Sequence, residues 1–264
     1  MMEAMLRFCM FIGILLLMAI WEVLSPTRHL SVRRRQRWMI NLGLAALNVG
    51  LMRISIGAAA WLAATWALEQ HLGLFNNLTL PGWLNISLSL LLLDLAIYAQ
   101  HVAAHRWEWF WRLHQVHHSD LDFDTTTAVR FHPIEIILSM AYKVLLVIAL
   151  GVEPQAVIAF EIILNGCALF NHGNVSLSAP IEWWIRWLLV TPNMHRIHHS
   201  AKPQETDTNY GFSLSCWDRC FKTYRAESQQ PQNTMPIGLR GFQNPDELGL
   251  LALLVMPFWP LRRR

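Results

Sequence analysis

Eight histidines stand in three short boxes along the 264-residue chain. The first is His101-Val-Ala-Ala-His105, the second His114-Gln-Val-His117-His118, and the third His195-Arg-Ile-His198-His199. On a helix, residues three and four apart share a face, so each box aims its imidazoles at one spot. A neutral imidazole offers a lone pair to a metal, and a zinc site usually closes at four ligands. Eight ring nitrogens are too many for one such ion and suit two metals with coordination positions left open. Imidazole ligates Zn, Cu, Fe and Ni alike, so donor type leaves the metal undecided. Ligation, rather than general-base work, is the chemistry expected of these rings.

Four histidines lie outside the boxes. His172, in Phe170-Asn171-His172-Gly173-Asn174, ends a polar stripe of Glu161, Asn165 and His172 in an otherwise apolar run. It is expected to be a further ligand. His132, in Arg130-Phe131-His132-Pro133, precedes a proline suited to a helix's first turn. It is expected either to cap that helix or to reach the metals. His29 and His71 carry no spacing signal and are expected to be capping or packing residues. Asp94, Tyr98, His101 and His105 share one helix face. Asp94 and Tyr98, and on the other stripe Asn165, are therefore candidates to support the site by accepting a ligand's ring N–H. Hydrogen bonding between helices would place the same polar residues equally well.

The elements that must position these boxes are mostly apolar. Hydrophobic residues make up 54% of the chain and charged residues 15%, against about 25% charged in an ordinary soluble domain. This excludes a disordered chain, a coiled coil and a disulfide scaffold, and argues against a freely soluble protein. A formal net charge of +3, with no basic patch interleaved with aromatics, gives no reason to expect nucleic acid as a partner. Cys9, Cys167, Cys216 and Cys220 lack CxxC spacing and read as inert thiols.

A bilayer span takes about 20 mainly apolar residues. Leu6 to Leu24 is the first candidate. Its positive charge (Arg28, Arg33, Arg34, Arg35 and Arg37) follows the apolar run, as in a retained span ending in the cytoplasm and unlike a signal peptide. Trp38 to Leu68 is long for one span; Arg53 interrupts it, and Gly43, Gly50 and Gly57 allow close packing or a bend. Glu69 to Pro81 holds no Lys or Arg and suits the outer side. Trp83 to Ala104 then re-enters, and Ile134 to Gly151 with Gln155 to Phe170 forms a hairpin about Val152-Glu153-Pro154. Every box then falls on the cytoplasmic side. Leu248 to Pro260, followed by Arg262, Arg263 and Arg264, suits an interfacial helix. The expected fold is all-α: an integral membrane helical bundle of about four transmembrane helices, with a cytoplasmic helical cap, built largely from His172 to Asn244, holding a di-metal site. Residues 1–82 would form the N-terminal helices and basic loop, 83–225 the catalytic domain, and 226–264 a tail with the interfacial segment. A site at the membrane boundary meets apolar substrates, and attack on their C–H bonds calls for a redox metal.

At these residues the chain resembles the fatty acid hydroxylase / sterol desaturase superfamily, the membrane-bound histidine-rich di-iron oxidases. HVAAH, HQVHH and HRIHH follow that family's order of boxes. Arg130-Phe131-His132-Pro133-Ile134-Glu135, Asn171-His172-Gly173-Asn174, Thr191-Pro192-Asn193-Met194, Glu205-Thr206-Asp207-Thr208-Asn209-Tyr210-Gly211 and Trp217-Asp218-Arg219 through Thr223-Tyr224 also resemble its signatures. Lys222 departs from the family's frequent glycine. Ala168 stands where fatty acid 2-hydroxylases carry another histidine, and Arg106 where ether-lipid-cleaving relatives carry a glutamate. The nearer likeness is to bacterial sterol desaturase-like proteins. The resemblance implies two iron ions held by His101, His105, His114, His117, His118, His172, His195, His198 and His199, with His132 undecided. It implies O2 as co-substrate and hydroxylation or desaturation of a lipid (sterol, fatty acyl or related) in the bacterial inner membrane. No haem-attachment CxxCH, GxGxxG or ferredoxin-type cysteine run is present. A separate reductase with a ferredoxin or cytochrome is the expected electron donor. Two rivals remain. A membrane zinc hydrolase would want an HExxH, which the chain lacks. A metal carrier would want ligands through the full membrane depth.

The boxes predict that His117→Ala abolishes metal binding and lipid oxidation while the protein still inserts in the membrane. Elemental analysis of the purified variant checks this; full metal content would remove His117 from the ligand set.

Overall fold

The computed structural model describes residues 2–55 and 58–260. Gly57 and Arg262 to Arg264 lie outside the described residues. The elements run in the order α1 (Met2–Leu24), α2 (Arg34–Ser55), α3 (Ala59–Glu69), α4 (Gly82–Arg106), α5 (Glu108–His118), α6 (Pro133–Leu150), α7 (Pro154–Asn171), α8 (Ala179–Leu188), α9 (Pro192–His198), α10 (Pro203–Thr206), α11 (Cys216–Cys220) and α12 (Leu250–Val255), with short 3-10 turns between some of them. Among the described residues there is no β-strand, and only isolated bridges such as Leu189 with Leu214 form. Among the described residues the fold is all-α, as the apolar spans and the spacing of the histidine boxes predict.

Helices α1, α4, α6 and α7 are long and apolar enough to cross a membrane, and the chain is a membrane protein. They expose large apolar side chains such as Leu16, Leu17 and Leu145, which in a bilayer face lipid. Pro133 and Pro154 open α6 and α7 at positions where a missing N–H does no harm. Gly151 ends α6 with φ at 67°, in the left-handed region. Gly73, at φ 91°, closes on that turn so tightly that a Cβ there would lie 2.2 Å from the Gly151 nitrogen. The segment after α3 thus seals the end of the α6–α7 hairpin remote from the histidine boxes.

The expected long segment from Trp38 to Leu68 is divided. Its second half, α3, packs small residues (Ala60, Ala64) against Val147, Val157 and Phe160 of the hairpin. Its first half, α2, is not among the four candidate spans. The physical reason is polar: Arg37 and Asn41 are buried in the cap, and Asn48 donates to the Phe131 carbonyl at 2.9 Å. A helix with three such groups is fixed by hydrogen bonds to the cap, whatever its hydropathy. The run from Leu248 to Pro260 also turns inward. Leu253 and Met256 join Leu44, Trp111, Val116 and Phe242 in one buried cluster, while Leu251 and Phe258 stay exposed.

The polar stripe on α7 serves the bundle. Glu161 accepts from Lys143 of α6 at 2.9 Å and from Arg7 of α1, so one carboxylate ties three membrane helices. Charges inside a span are expected to pair in this way.

The cap is fastened by a second buried ion cluster. Arg37 donates to both oxygens of Asp120 at 2.7 Å and also to Asp124, and Asn41 bridges Asp120 to Arg130. Burial opposes the Arg37 charge, but the Asp120 and Asp124 carboxylates prevail and raise its pKa. Burial likewise opposes the Asp120 charge, and Arg37 prevails, holding that carboxyl well below its usual range. The basic stretch after α1 is therefore no mere solvated loop. Removing one partner leaves buried charge unpaired, so Arg37→Met is expected to destabilise the fold by about 3–5 kcal/mol. Thermal unfolding of the detergent-solubilised protein checks this; an unchanged melting temperature would mean that Asp120 and Asp124 rehydrate freely.

Candidate metal centre

The last two turns of α4 carry His101 and His105. Trp107 ends α4 and starts α5, so the chain reverses at once and brings His114, His117 and His118 back over them. His172 follows the last residue of α7. His195 and His198 lie on α9 with His199 just beyond, and the Thr191 hydroxyl caps that helix by accepting from the Met194 N–H at 3.3 Å. All nine side chains are buried. They form two adjoining groups that could each hold a metal ion: His101, His105, His114, His118 and His198 in one, and His117, His172, His195 and His199 in the other. Within each group one ring nitrogen per residue lies within 4.8 Å of all the others.

The hydrogen bonds fix which nitrogens are free to ligate. His101 Nδ1 faces the Tyr210 carbonyl at 2.7 Å, His198 Nδ1 the Thr208 carbonyl at 2.8 Å, and His172 Nδ1 the Ala168 carbonyl at 2.8 Å. A carbonyl only accepts, so each Nδ1 carries the proton and each Nε2 keeps its lone pair. Yet the Nε2 atoms of His198 and His101 stand 3.1 Å apart, two acceptors in line with no proton to share. His172 Nε2 likewise lies 3.1 Å from His195 Nε2 and 3.2 Å from His117 Nε2. Two nitrogens bound at right angles about 2.0–2.1 Å from one cation would be roughly 3 Å apart. His114 Nε2, and both nitrogens of His199, are buried without a hydrogen-bond partner. A cation in each group would relieve the His101–His198 conflict and give the unpartnered nitrogens of both groups a partner, so the donor set fits a metal pair.

Electrostatics keep the rings in their ligating form. Burial, and then the neighbouring imidazoles, pushes the pKa of His117, His118, His195 and His199 well below the ordinary histidine value. Burial takes His172 and His198 down to about 3. Neutral imidazole is the species that binds metal. Aromatic rings line the centre: Phe131 stacks on His117 at 4.4 Å, Phe123 on His172 at 5.5 Å, and Trp111 lies 5.0 Å from His105.

The supporting acceptors are not those the helix faces indicated. Asp94 accepts from the Leu214 N–H at 3.2 Å and from Trp217 Nε1 at 2.9 Å. Tyr98 pairs its hydroxyl with Thr223, and Asn165 donates to the Glu161 carbonyl one turn back. None of the three is seen to accept from a box histidine. That work falls to Glu135, 2.7 Å from His114 Nδ1, and to Asp207, 3.3 Å from His105 Nδ1. Asp218 accepts from the Tyr210 and Gly211 N–H groups at 2.8 Å each, which holds the carbonyl that faces His101. Glu135 and Asp207 stand inside the segments quoted above, but no local spacing links them to their histidines. His132 joins neither group. Its Nδ1 accepts from Ile134 N and its Nε2 donates to the Leu254 carbonyl at 3.1 Å, so it caps α6. His29 and His71 are exposed and outside both groups.

The family described as Fatty acid hydroxylase matches residues 86–223. Ornithine lipid hydroxylase OlsE of Rhizobium tropici is 26% identical over 248 residues, 92% of this chain and 72% of that protein. Alkylglycerol monooxygenase of Xenopus tropicalis is 32% identical over 145 residues, 54% of this chain but 31% of that protein. Its counterpart in Homo sapiens is 30% identical over 139 residues, 52% of this chain and 30% of that protein. The chain thus spans under a third of the alkylglycerol monooxygenases. No solved structure matches it.

The Glu135 side chain is 6% exposed and that of Asp207 is 43% exposed, so water can replace Asp207 far more readily. Glu135→Gln is expected to weaken metal retention by roughly 10–100-fold and Asp207→Asn by less, with His132→Ala leaving metal content unchanged. Metal remaining after dialysis against a graded series of chelators measures this. Equal retention in wild type and Glu135→Gln would exclude Glu135 as a support of the site.

Proposed function

The chain belongs to the fatty acid hydroxylase family, and on that premise we propose that its nine clustered histidines hold two iron ions that use O2 to oxidise a C–H bond of a membrane lipid. The observation that supports it is the convergence of ring nitrogens in two buried groups at the end of membrane-crossing helices, with the proton-free Nε2 atoms of His101 and His198 3.1 Å apart and buried nitrogens of His114 and His199 left without a partner. Bound there, iron would supply the reduction of O2 and the removal of hydrogen from an unactivated carbon. The chain's own residues do the rest. His101, His105, His114, His118 and His198 would hold one ion and His117, His172, His195 and His199 the other. The Glu135 carboxylate and the carbonyls of Tyr210, Thr208 and Ala168 fix the tautomers and the ring planes. Phe123, Phe131 and Trp111 exclude bulk water from the rings.

The substrate class follows from the same placement. A centre at the ends of α4 and α7 meets molecules already dissolved in the bilayer. The relatives are named as a lipid hydroxylase and a monooxygenase, which favours hydroxylation over desaturation here. Residues 83–225 would form the catalytic unit. Electrons would arrive from a separate reductase with a ferredoxin or cytochrome. Arg28, Arg33, Arg34 and Arg35 follow the end of α1 where Glu22 accepts from Asn174 N, two residues past His172, which argues for the centre's lying on the cytoplasmic side of a bacterial inner membrane.

Iron-loaded protein given lipid extract and a reductant is expected to consume O2 and yield a lipid richer by one oxygen atom, and zinc-loaded protein to do neither. Oxygen electrode traces and lipid mass spectrometry read this. Lipid cleavage by the zinc form would favour a hydrolase. Tight metal binding without any lipid product would favour a carrier.

A further inference from the structure

Helix α8 is inside out. Its charged residues turn inward: Glu182 is buried, and accepts from Arg186 at 2.5 Å, from the Thr191 hydroxyl at 2.5 Å and from Asn193 Nδ2 at 3.2 Å. Its apolar residues turn outward: Ile181, Trp183, Trp184, Trp187 and Leu188 are each more than half exposed, Trp184 reaching 71%. A ten-residue helix immersed in water would present the opposite face. An exposed apolar patch of this kind requires a partner, and its position says which.

The C-terminal end of α8 is fastened at the depth of a membrane helix. The Leu188 carbonyl accepts from Ser215 N at 3.1 Å, and Val190 N donates to the Ser213 carbonyl at 2.9 Å. The segment so held continues into Leu214 and Trp217, both of which donate to Asp94. Asp94 lies midway along α4 (Gly82–Arg106), about 18 Å from either end at 1.5 Å per residue. On the same side of α4, Phe221 is 56% exposed and stacks on Tyr98 at 5.4 Å. One backbone group near the end of α8 that lipid would leave unsatisfied is occupied. The Arg186 carbonyl accepts from the Ser215 hydroxyl at 2.7 Å and from Arg219 Nη2 at 2.8 Å.

We propose that α8 and α11, with Phe221, lie in the bilayer against α4, their tryptophan face covered by lipid. Three exposed tryptophans on one short helix offer large apolar ring faces that lipid can cover. Phe221 covers the buried Tyr98 of α4 and is itself exposed beside it. The stretch from His172 to Asn244, polar in overall composition, is thus a cap whose middle dips into the membrane. Residues 189–215 link this embedded element to the loop whose Tyr210 carbonyl faces His101.

The test is labelling by a charged, membrane-impermeant maleimide of purified protein in lipid nanodiscs, where both aqueous faces are open, with site-resolved mass spectrometry. Trp184→Cys, Leu188→Cys and the native Cys220 report on the element. Leu145→Cys, on the 67% exposed side chain of α6, reports on a span, and Gln230→Cys reports on an exposed part of the cap. A thiol in hydrocarbon stays protonated and unreactive, so the three element sites and Leu145→Cys are expected to react at least about tenfold more slowly than Gln230→Cys. Slow labelling at Leu145→Cys with fast labelling at Trp184→Cys and Leu188→Cys overturns the inference and points to a protein partner for this face. Fast labelling at Leu145→Cys would instead overturn the membrane placement of the spans. Should Trp184→Cys fail to fold, Leu188→Cys and Cys220 decide alone.

Discussion

Lone pairs that face one another without a proton are the constraint on which this molecule turns. In the described structure, the proton-free Nε2 atoms of His101 and His198 stand in ligand-to-ligand spacing, and that of His172 faces the Nε2 atoms of His117 and His195, inside a buried, aromatic-lined space. Left alone, such pairs repel, and the rings cannot protonate to relieve it because burial disfavours the charge. A cation resolves that conflict, and it also gives a partner to the buried nitrogens of His114 and His199 that have none. The rest of the fold is legible as what holds the rings there. Each carbonyl or carboxylate on an Nδ1 fixes a tautomer, and each helix end fixes a Cα.

The two groups are not held alike. In the five-histidine group, His114 and His105 lean on carboxylates and His101 and His198 on carbonyls. In the four-histidine group only His172 has such a partner in view, whereas His117 and His195 keep a buried Nδ1 without one. A ring whose N–H is bound to a carboxylate is a stronger donor, and its orientation is set before any metal arrives. The first group is therefore the more preorganised. Its supports come from α6 and from the loop after α10, elements far apart in the chain, so assembling it requires the whole cap to be docked.

What the sequence discloses and what it hides follow from the range of each interaction. Box spacing is local, and the three boxes and His172 converge as helical periodicity predicts. Glu135 and Asp207 lie 21 and 102 residues from the histidines they face, and no periodicity spans such distances. Asp94 shares a helix face with His101, but it sits two turns away, and the distant Leu214 and Trp217 claim it. The apolar run from Trp38 to Leu68 reads as one segment, and nothing local in it registers that Arg37, just before it, is pinned to Asp120. The polarity of the stretch after His172 is real, yet an average conceals that Glu182 and Arg186 point inward and three tryptophans outward.

The division of labour among polar groups explains why the centre lies at the ends of the helices and not at their middle. Within the spans, Glu161 is consumed by Arg7 and Lys143, and Asp94 by the segment packed on α4. Both serve to hold helices together, the use to which a membrane interior restricts charge. Carboxylates that tune imidazoles must sit where their own charge is tolerable in the absence of metal. Glu135 meets this in the first turn of α6, where a helix N-terminus favours an anion. Asp207 meets it by remaining partly in water. The boundary between lipid and cap is thus a depth at which a buried ligand set and charged supports can coincide.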